Sequence, residues 1–195
     1  MTPELETPRL WLRPLELADA GQAQKLFPQW EVVKYLSDMV PWPFPPDGAY
    51  TFYRDVALPQ AERGEAWHWT LRLKSEPARL IGAISLMRGE EINRGFWLGL
   101  PWHGQGLMTE ACELVTGYWF ETLKMPRLRV PKAVANTASR RISERQGMRV
   151  VEVKESSYVC WRLLTEVWEI TAEEWFRTRG PERHACDPAP PRVPA

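Results

Sequence analysis

The chain has 195 residues, enough to bury a core within one domain. Its 25 Lys and Arg balance 25 Asp and Glu, and zero net charge argues against nucleic acid as the main partner, since affinity for a phosphate backbone rests on excess basic charge. Three scattered cysteines (Cys112, Cys160, Cys186) without C-x-x-C spacing, no leader-like opening and no run near ~18 apolar residues predict a cytoplasmic protein without disulfides, structural zinc or membrane spans.

In chain order, 9–15 alternates as a strand, with Leu10 and Leu12 on one side and Arg9, Trp11 and Arg13 on the other. Residues 17–27 have helical spacing that ends before Pro28, and 31–36 suits a second short helix. The run 41–46, PWPFPP, is excluded from helix and central strand and predicts a stiff extended loop. Residues 47–63 follow as a helix capped by Asp47 and disturbed at Pro59. Strands are expected at 67–74 and 79–86, joined by a turn at 75–77, and again at 92–99. A helix near 105–123 carries Leu107, Ala111, Leu114, Val115 and Tyr118 as an apolar stripe. Then come a strand at 127–134, a helix at 138–146 closed by Gly147, strands at 148–153 and 163–170, and a short helix at 172–177. Residues 1–179 read as a single domain and 180–195 as a Pro-rich, disordered tail. The pattern predicts a mixed α/β fold with helices on both faces of a sheet, and eleven tryptophans leave room for an aromatic-lined cleft.

The most informative stretch is NRGFWLGLPWHGQGLMTEA, residues 93–111. A short strand (Phe96, Trp97, Leu98) enters a turn holding Gly104 and Gly106, and a helix-patterned run follows. Glycines there allow close backbone approach to a ligand, and the helix start adds free N–H groups and roughly half a positive charge. A dinucleotide fingerprint would need a third glycine where Thr109 stands and an acid near Asn136; a P-loop would need Lys-Ser/Thr after the last glycine. A turn for the pyrophosphate of coenzyme A, or a purely structural turn, remains. A second constellation, NTASRRISERQGM (136–148), places Asn136 at a helix start and Ser139 one turn in. Asn136 serves as a cap in the plainer reading, and Ser139 faces either the strand end or solvent.

In FWLG, the W-x-GQG turn followed by TEA, and N-T-A-S-R-R-I-S-E-R-x-GM, the sequence resembles the GNAT acetyltransferase superfamily, in the branch of ribosomal-protein N-terminal acetyltransferases. ETPRLWLRPL, WHWTLRLK and TEVWEITAEEW resemble the same branch, so the likeness runs in order over about 7–177. It implies a GNAT-like central sheet, mixed and largely antiparallel, with helices on both faces. It further implies that the backbone of His103, Gly104, Gln105, Gly106, Leu107 and Met108 binds the pyrophosphate of acetyl-CoA. His103 replaces the usual Gln or Arg, and Met108 replaces a small residue that leaves room for the phosphate. Phe96, Trp97 and Leu98 would receive the pantetheine arm and acetyl carbonyl. Asn136 and Ser139 would lie near the departing sulfur. Many relatives carry an acid where this chain has Asn93.

The implied reaction is direct attack of a primary amine on the thioester, with acetyl-CoA as co-substrate and no metal. The site must orient two substrates and stabilise an oxyanion, a task suited to the Leu98 N–H. The amine, with a pKa of about 7.7 to 8.0, needs only a modest base. Glu91, Glu166 and His68 are the candidates, and Glu166 in the last strand is preferred; each also reads as an ordinary surface or packed polar residue. Ser139 would protonate the thiolate. Arg140, Arg141 and Arg145 form either a 3′-phosphate contact or a solvated helix face. The acceptor is a protein N-terminus or a small amine, and a second copy of the chain is a candidate partner. The rival readings are a non-catalytic acyl-CoA-binding or interaction protein on the same fold and, more distantly, a dinucleotide oxidoreductase.

Overall fold

The computed structural model describes residues 1–179, so the expected tail, 180–195, lies outside the described residues. Five strands form one antiparallel sheet in chain order: β1 (Leu5–Glu6), β2 (Leu10–Pro14), β3 (Ala66–Leu73), β4 (Glu76–Met87) and β5 (Arg94–Leu98). Three more, β6 (Arg127–Ala133), β7 (Arg149–Ser157) and β8 (Arg162–Thr171), form a second antiparallel sheet in the order β6-β8-β7. β1 is two residues long, too short to show an alternation in the sequence. β4 begins at Glu76, inside the expected turn.

The helices are α1 (Ala20–Leu26), α2 (Trp30–Val33), α3 (Gly48–Phe52), α4 (Leu58–Glu62), α5 (Leu107–Gly117), α6 (Thr137–Arg145) and α7 (Ala172–Arg179). Between α3 and α4, Tyr53–Ala57 is π-helical: Leu58 N–H bonds the Tyr53 carbonyl, one residue further back than in an α-helix. Pro59, which has no N–H to give Asp55, accounts for that widened turn. Asp47 precedes α3 without a side-chain cap bond to it, contrary to the capping role expected from its position.

β3 is buried along nearly its whole length because both its faces are covered. Trp67, Trp69 and Leu71 pack with Ala111, Cys112 and Val115 of α5 in the main core. On the opposite face, Leu80 of β4 packs with Ala20, Ala23, Ala49 and Tyr53 from the α1–α3 side. Arg72, 2% exposed, donates to Asp19 Oδ1 at 2.6 Å and fastens that helical layer down. Helices therefore cover both faces, as the sequence pattern requires. Among the described residues no helix is long and apolar enough to cross a membrane.

The two sheets meet at β5 and β6. Asn93 N–H donates to the Arg129 carbonyl at 2.8 Å, and Lys132 Nζ lies 5.2 Å from the Phe96 ring centroid. Both contacts advance together, so β5 and β6 run in the same direction, which makes the assembly mixed although each sheet is antiparallel. On β6 the groups of Arg129 point toward β5, and those of Pro131 share that parity. Proline has no N–H to give, and above residue 129 no backbone hydrogen bond joins the two strands among the described residues; this unpaired seam forms the cleft.

Candidate active site

Backbone parity determines what β5 offers the cleft. Gly99 N–H bonds the Ile81 carbonyl at 2.8 Å, so residues 95, 97 and 99 face β4. Phe96 and Leu98 turn their N–H and C=O groups the other way, into the cleft. Trp97 is a correction to the expected coenzyme contacts: its backbone belongs to the ladder with Ala83. Its indole faces away from α5 and meets Phe27 edge-on at 5.3 Å, with Phe44 stacked edge-on beyond.

At the top of β5 the chain enters the glycine turn. His103 Nε2 donates to the Leu98 carbonyl at 2.7 Å, which fixes the imidazole over the strand end and leaves the Leu98 N–H in the cleft. Gly104 and Gly106 adopt φ +74° and +76°, the left-handed region that a side chain disfavours. Gly106 is the residue preceding α5, and no side chain caps that helix. Glu110 N–H takes the Gly106 carbonyl, and the N–H groups of Leu107, Met108 and Thr109 lie in the uncapped first turn. Such an end attracts an anion through its donors and its dipole together.

Two side chains hold the turn in place. Arg9 donates to the Gln105 carbonyl at 3.0 Å and to the Glu110 carboxylate at 2.7 Å, and Thr7 Oγ1 also donates to Glu110. Sequence reasoning did not single out Arg9 or Glu110, although both lie inside the quoted motifs. Met108, by contrast, is 7% exposed and packs in the main core. Its side chain points away from the turn's donors, so the crowding anticipated for it does not arise. Beside Gly106 opens a groove of about 610 Å³ whose lining includes Glu6, Glu110, Arg145 and Arg179.

Across the cleft, Asn136 Oδ1 accepts the Ser139 N–H at 3.2 Å and caps α6. Ser139 Oγ accepts from Lys132 Nζ at 2.6 Å. Lys132 is buried, and burial pushes its pKa down to about 7. Phe96, Ser139 and Lys132 thus converge from β5, α6 and β6. Lys132 was missed in the sequence, yet the signal exists: Leu128, Val130 and Lys132 alternate onto one buried face.

The three expected bases are otherwise engaged. Glu166 sits beside Lys132 in the β6–β8 register, but both its oxygens are taken. Arg140 donates to them at 2.8 and 3.1 Å, and Trp168 Nε1 donates at 3.1 Å. That ion pair holds α6 against β8 and engages the carboxylate expected as the proton acceptor. Glu91 is exposed between Lys154 and Arg129, and the Lys154 ammonium holds its carboxyl below the usual range. His68 is buried on the face of β3 away from α5, with Nδ1 2.7 Å from Ser85 Oγ; burial pushes its pKa down to about 4. Asn93 is fully engaged in backbone bonds, as described below. Of the three arginines, Arg140 is in the ion pair and Arg145 lines the groove.

Comparison with known proteins bears on this geometry. Residues 9–149 match the family described as Acetyltransferase (GNAT) domain. A 72-residue segment, 35% of the chain, is 38% identical to YdaF of Bacillus subtilis (strain 168), named there as a candidate ribosomal N-acetyltransferase; it spans 39% of that protein. A 91-residue segment, 44% of the chain, is 35% identical to YjcK of the same organism, named a probable N-acetyltransferase, and spans 50% of it. The matches thus cover half or less of these curated relatives. Among solved structures, RimL, a ribosomal-protein α-N-acetyltransferase in complex with coenzyme A, superposes with a TM-score of 0.75 over 88% of this chain and 99% of that one, at 15% identity.

Proposed function

Because the chain belongs to the GNAT acetyltransferase family, we propose that it moves an acetyl group from acetyl-CoA to a primary amine by direct attack on the thioester. The observation that carries this reading is the uncapped start of α5 behind left-handed Gly104 and Gly106, set at the end of a strand whose Phe96 and Leu98 backbone groups face the unpaired seam between β5 and β6. The first-turn donors suit the pyrophosphate, and the strand suits a pantetheine arm laid along it. The residues present therefore fit the coenzyme.

In the reaction, the Leu98 N–H stands where the carbonyl oxygen gains charge. Asn136 and Ser139 border the sulfur, and Ser139 gives its proton to the thiolate. An α-amino group is already partly neutral near its pKa of about 8, so its second proton leaves to water without a dedicated carboxylate. A protein N-terminus is the favoured acceptor, in keeping with what the names of YdaF and RimL say of those proteins. An acyl-CoA-binding protein without turnover is the alternative, and the engagement of Glu91, Glu166 and His68 is what favours it.

The experiment is thiol release from acetyl-CoA in the presence of short peptides with free N-termini, with polyamines and aminoglycosides in parallel. Acetylated peptide with matching free CoA is expected. Coenzyme binding by calorimetry without amine-dependent thiol release would establish the alternative.

A further inference from the structure

Lys132 is a buried cation that the reading above leaves unexplained. Its Nζ lies in a compartment walled by four elements. Phe96 of β5 presents its ring at 5.2 Å, and Ser139 of α6 accepts at 2.6 Å. Cys112 of α5 and Arg94 of β5 also face it; the thiol is wholly buried and pushed up, and Nη1 of the guanidinium donates to Thr116 and Gln146, while its Nε and Nη2 meet no partner among the described residues. Glu166 of β8, its cross-strand neighbour, is bound to Arg140 instead. Among the described residues no carboxylate lies within ion-pair distance of Nζ. A lone buried ammonium is costly, and a packed apolar side chain would avoid that cost. Among the described residues, the hydroxyl of Ser139 is its hydrogen-bond acceptor.

We propose that Lys132 is a positioning and proton-supplying residue that acts through Ser139 on the sulfur of coenzyme A. This rests on the acetyltransferase reading and deepens it. When the C–S bond breaks, its electron pair stays on sulfur. The Ser139 Oγ–H proton passes to that thiolate, and a Lys132 Nζ–H proton passes to Oγ. Lys132 is left neutral and regains a proton from solvent before the next turnover. A lysine whose pKa is lowered to about 7 can both give and regain that proton near neutrality. Arg94, fixed beside it, keeps the compartment positive and so favours the thiolate.

The test is titration of the CoA thiol bound to the protein, followed by its ultraviolet thiolate absorbance. This readout needs no acceptor. In the native protein the bound thiol should ionise at least about one pH unit below the ~8.5 of an unperturbed thiol. In Lys132→Met, which keeps the chain length and removes a buried charge, that shift should vanish while CoA affinity by calorimetry changes less than about threefold. With acetyl-CoA and the best peptide acceptor, kcat should fall about 10²-fold, KM for acetyl-CoA should hold, and the decline of kcat above about pH 7 should disappear. Ser139→Ala should give the same changes, and the double variant should be no worse than either single one. Identical thiol titrations in native protein and Lys132→Met would overturn the proposal and leave the acetyltransferase reading intact. Failure of the native protein to bind CoA would overturn both.

Discussion

Asn93 and Arg129 exchange two hydrogen bonds at the base of the cleft: Asn93 N–H donates to the Arg129 carbonyl at 2.8 Å, and Arg129 N–H donates to Asn93 Oδ1 at 2.7 Å. The Asn93 amide nitrogen donates in turn to the Met87 and Gly89 carbonyls at 3.3 and 2.7 Å. One side chain therefore closes the β4–β5 connection and ties it to β6. The resemblance implies an acid at this position, whereas the amide here makes three side-chain hydrogen bonds, of which a carboxylate could supply one.

Asn93→Asp is accordingly expected to destabilise the fold by ~1–3 kcal/mol, since a carboxylate at this buried position would face two carbonyls that have lost their donor. Urea denaturation should show a lower midpoint at unchanged slope. Acetyl transfer per folded molecule should not rise. A variant as stable as the native protein and faster in transfer would show that the position still hosts a base.

At Gly106 the φ of +76° makes any side chain strained, by about 1–2 kcal/mol, and a Cβ would stand 3.6 Å from Arg9 Nη2. Gly106→Val should therefore lose some stability and most of its acetyl-CoA affinity, as read by calorimetry on the folded fraction. Native affinity in a folded variant would remove the turn from coenzyme binding.

Much of this arrangement was legible because it rests on local rules. Glycines with a helix behind them and a capping Asn136 announce themselves in a sequence, and the alternation of β2 identifies its core face. What stayed hidden depends on contacts between residues far apart in the chain. Arg140 and Glu166 are 26 residues apart, and nothing local shows that the carboxylate is already paired. The lapse of pairing at Pro131 requires knowing that β5 lies beside β6. Met108 stands in the motif where a small residue is usual, and only its place beside Ala111, Cys112 and Val115 shows that its side chain belongs to the core.

Met108 offers a clean separation of packing from binding. Met108→Ala should cost ~2–5 kcal/mol, as expected for truncating a buried side chain, and thermal unfolding will measure it. Acetyl-CoA affinity at a temperature where the variant is folded should stay near native. A surface-like loss below 1 kcal/mol, on the order of an exposed substitution, with altered affinity, would return the side chain to the phosphate.

For Glu166 the prediction follows from its partners. Glu166→Gln should weaken the hold on Arg140 and lower stability by about 1 kcal/mol, the scale of a partly exposed pair. Because the carboxylate is engaged on the α6 side, turnover should fall less than about tenfold, far short of the ~10²–10⁴ of a lost general base. Arg140→Met should lower stability similarly, and the double variant should add little to either. A pH-dependent collapse of kcat in Glu166→Gln alone would restore it as the base.

His68 gives a prediction on the pH dependence of stability itself. Its imidazole is buried beside Ser85, Nε2 has no partner among the described residues, and burial lowers its pKa from 6.5 to about 4. In the unfolded chain the ring takes up its proton below about 6.5, whereas in the fold it stays neutral down to about 4. The unfolded state thus binds more protons in that window, and stability falls as the pH drops through it. At about 1.4 kcal/mol per unit, the whole loss is on the order of 3 kcal/mol, complete near pH 4. Carboxylates titrate nearby, so the comparison is with His68→Gln, which keeps a polar group near Ser85 and does not titrate. Urea midpoints of the two proteins should converge as pH falls from 7 to 4, the native protein losing stability faster. Parallel curves would mean that the ring is solvated in the fold. The same comparison of kcat between pH 6 and 9 should show no difference in profile, because His68 is neutral throughout and remote from the Ser139–Lys132 pair.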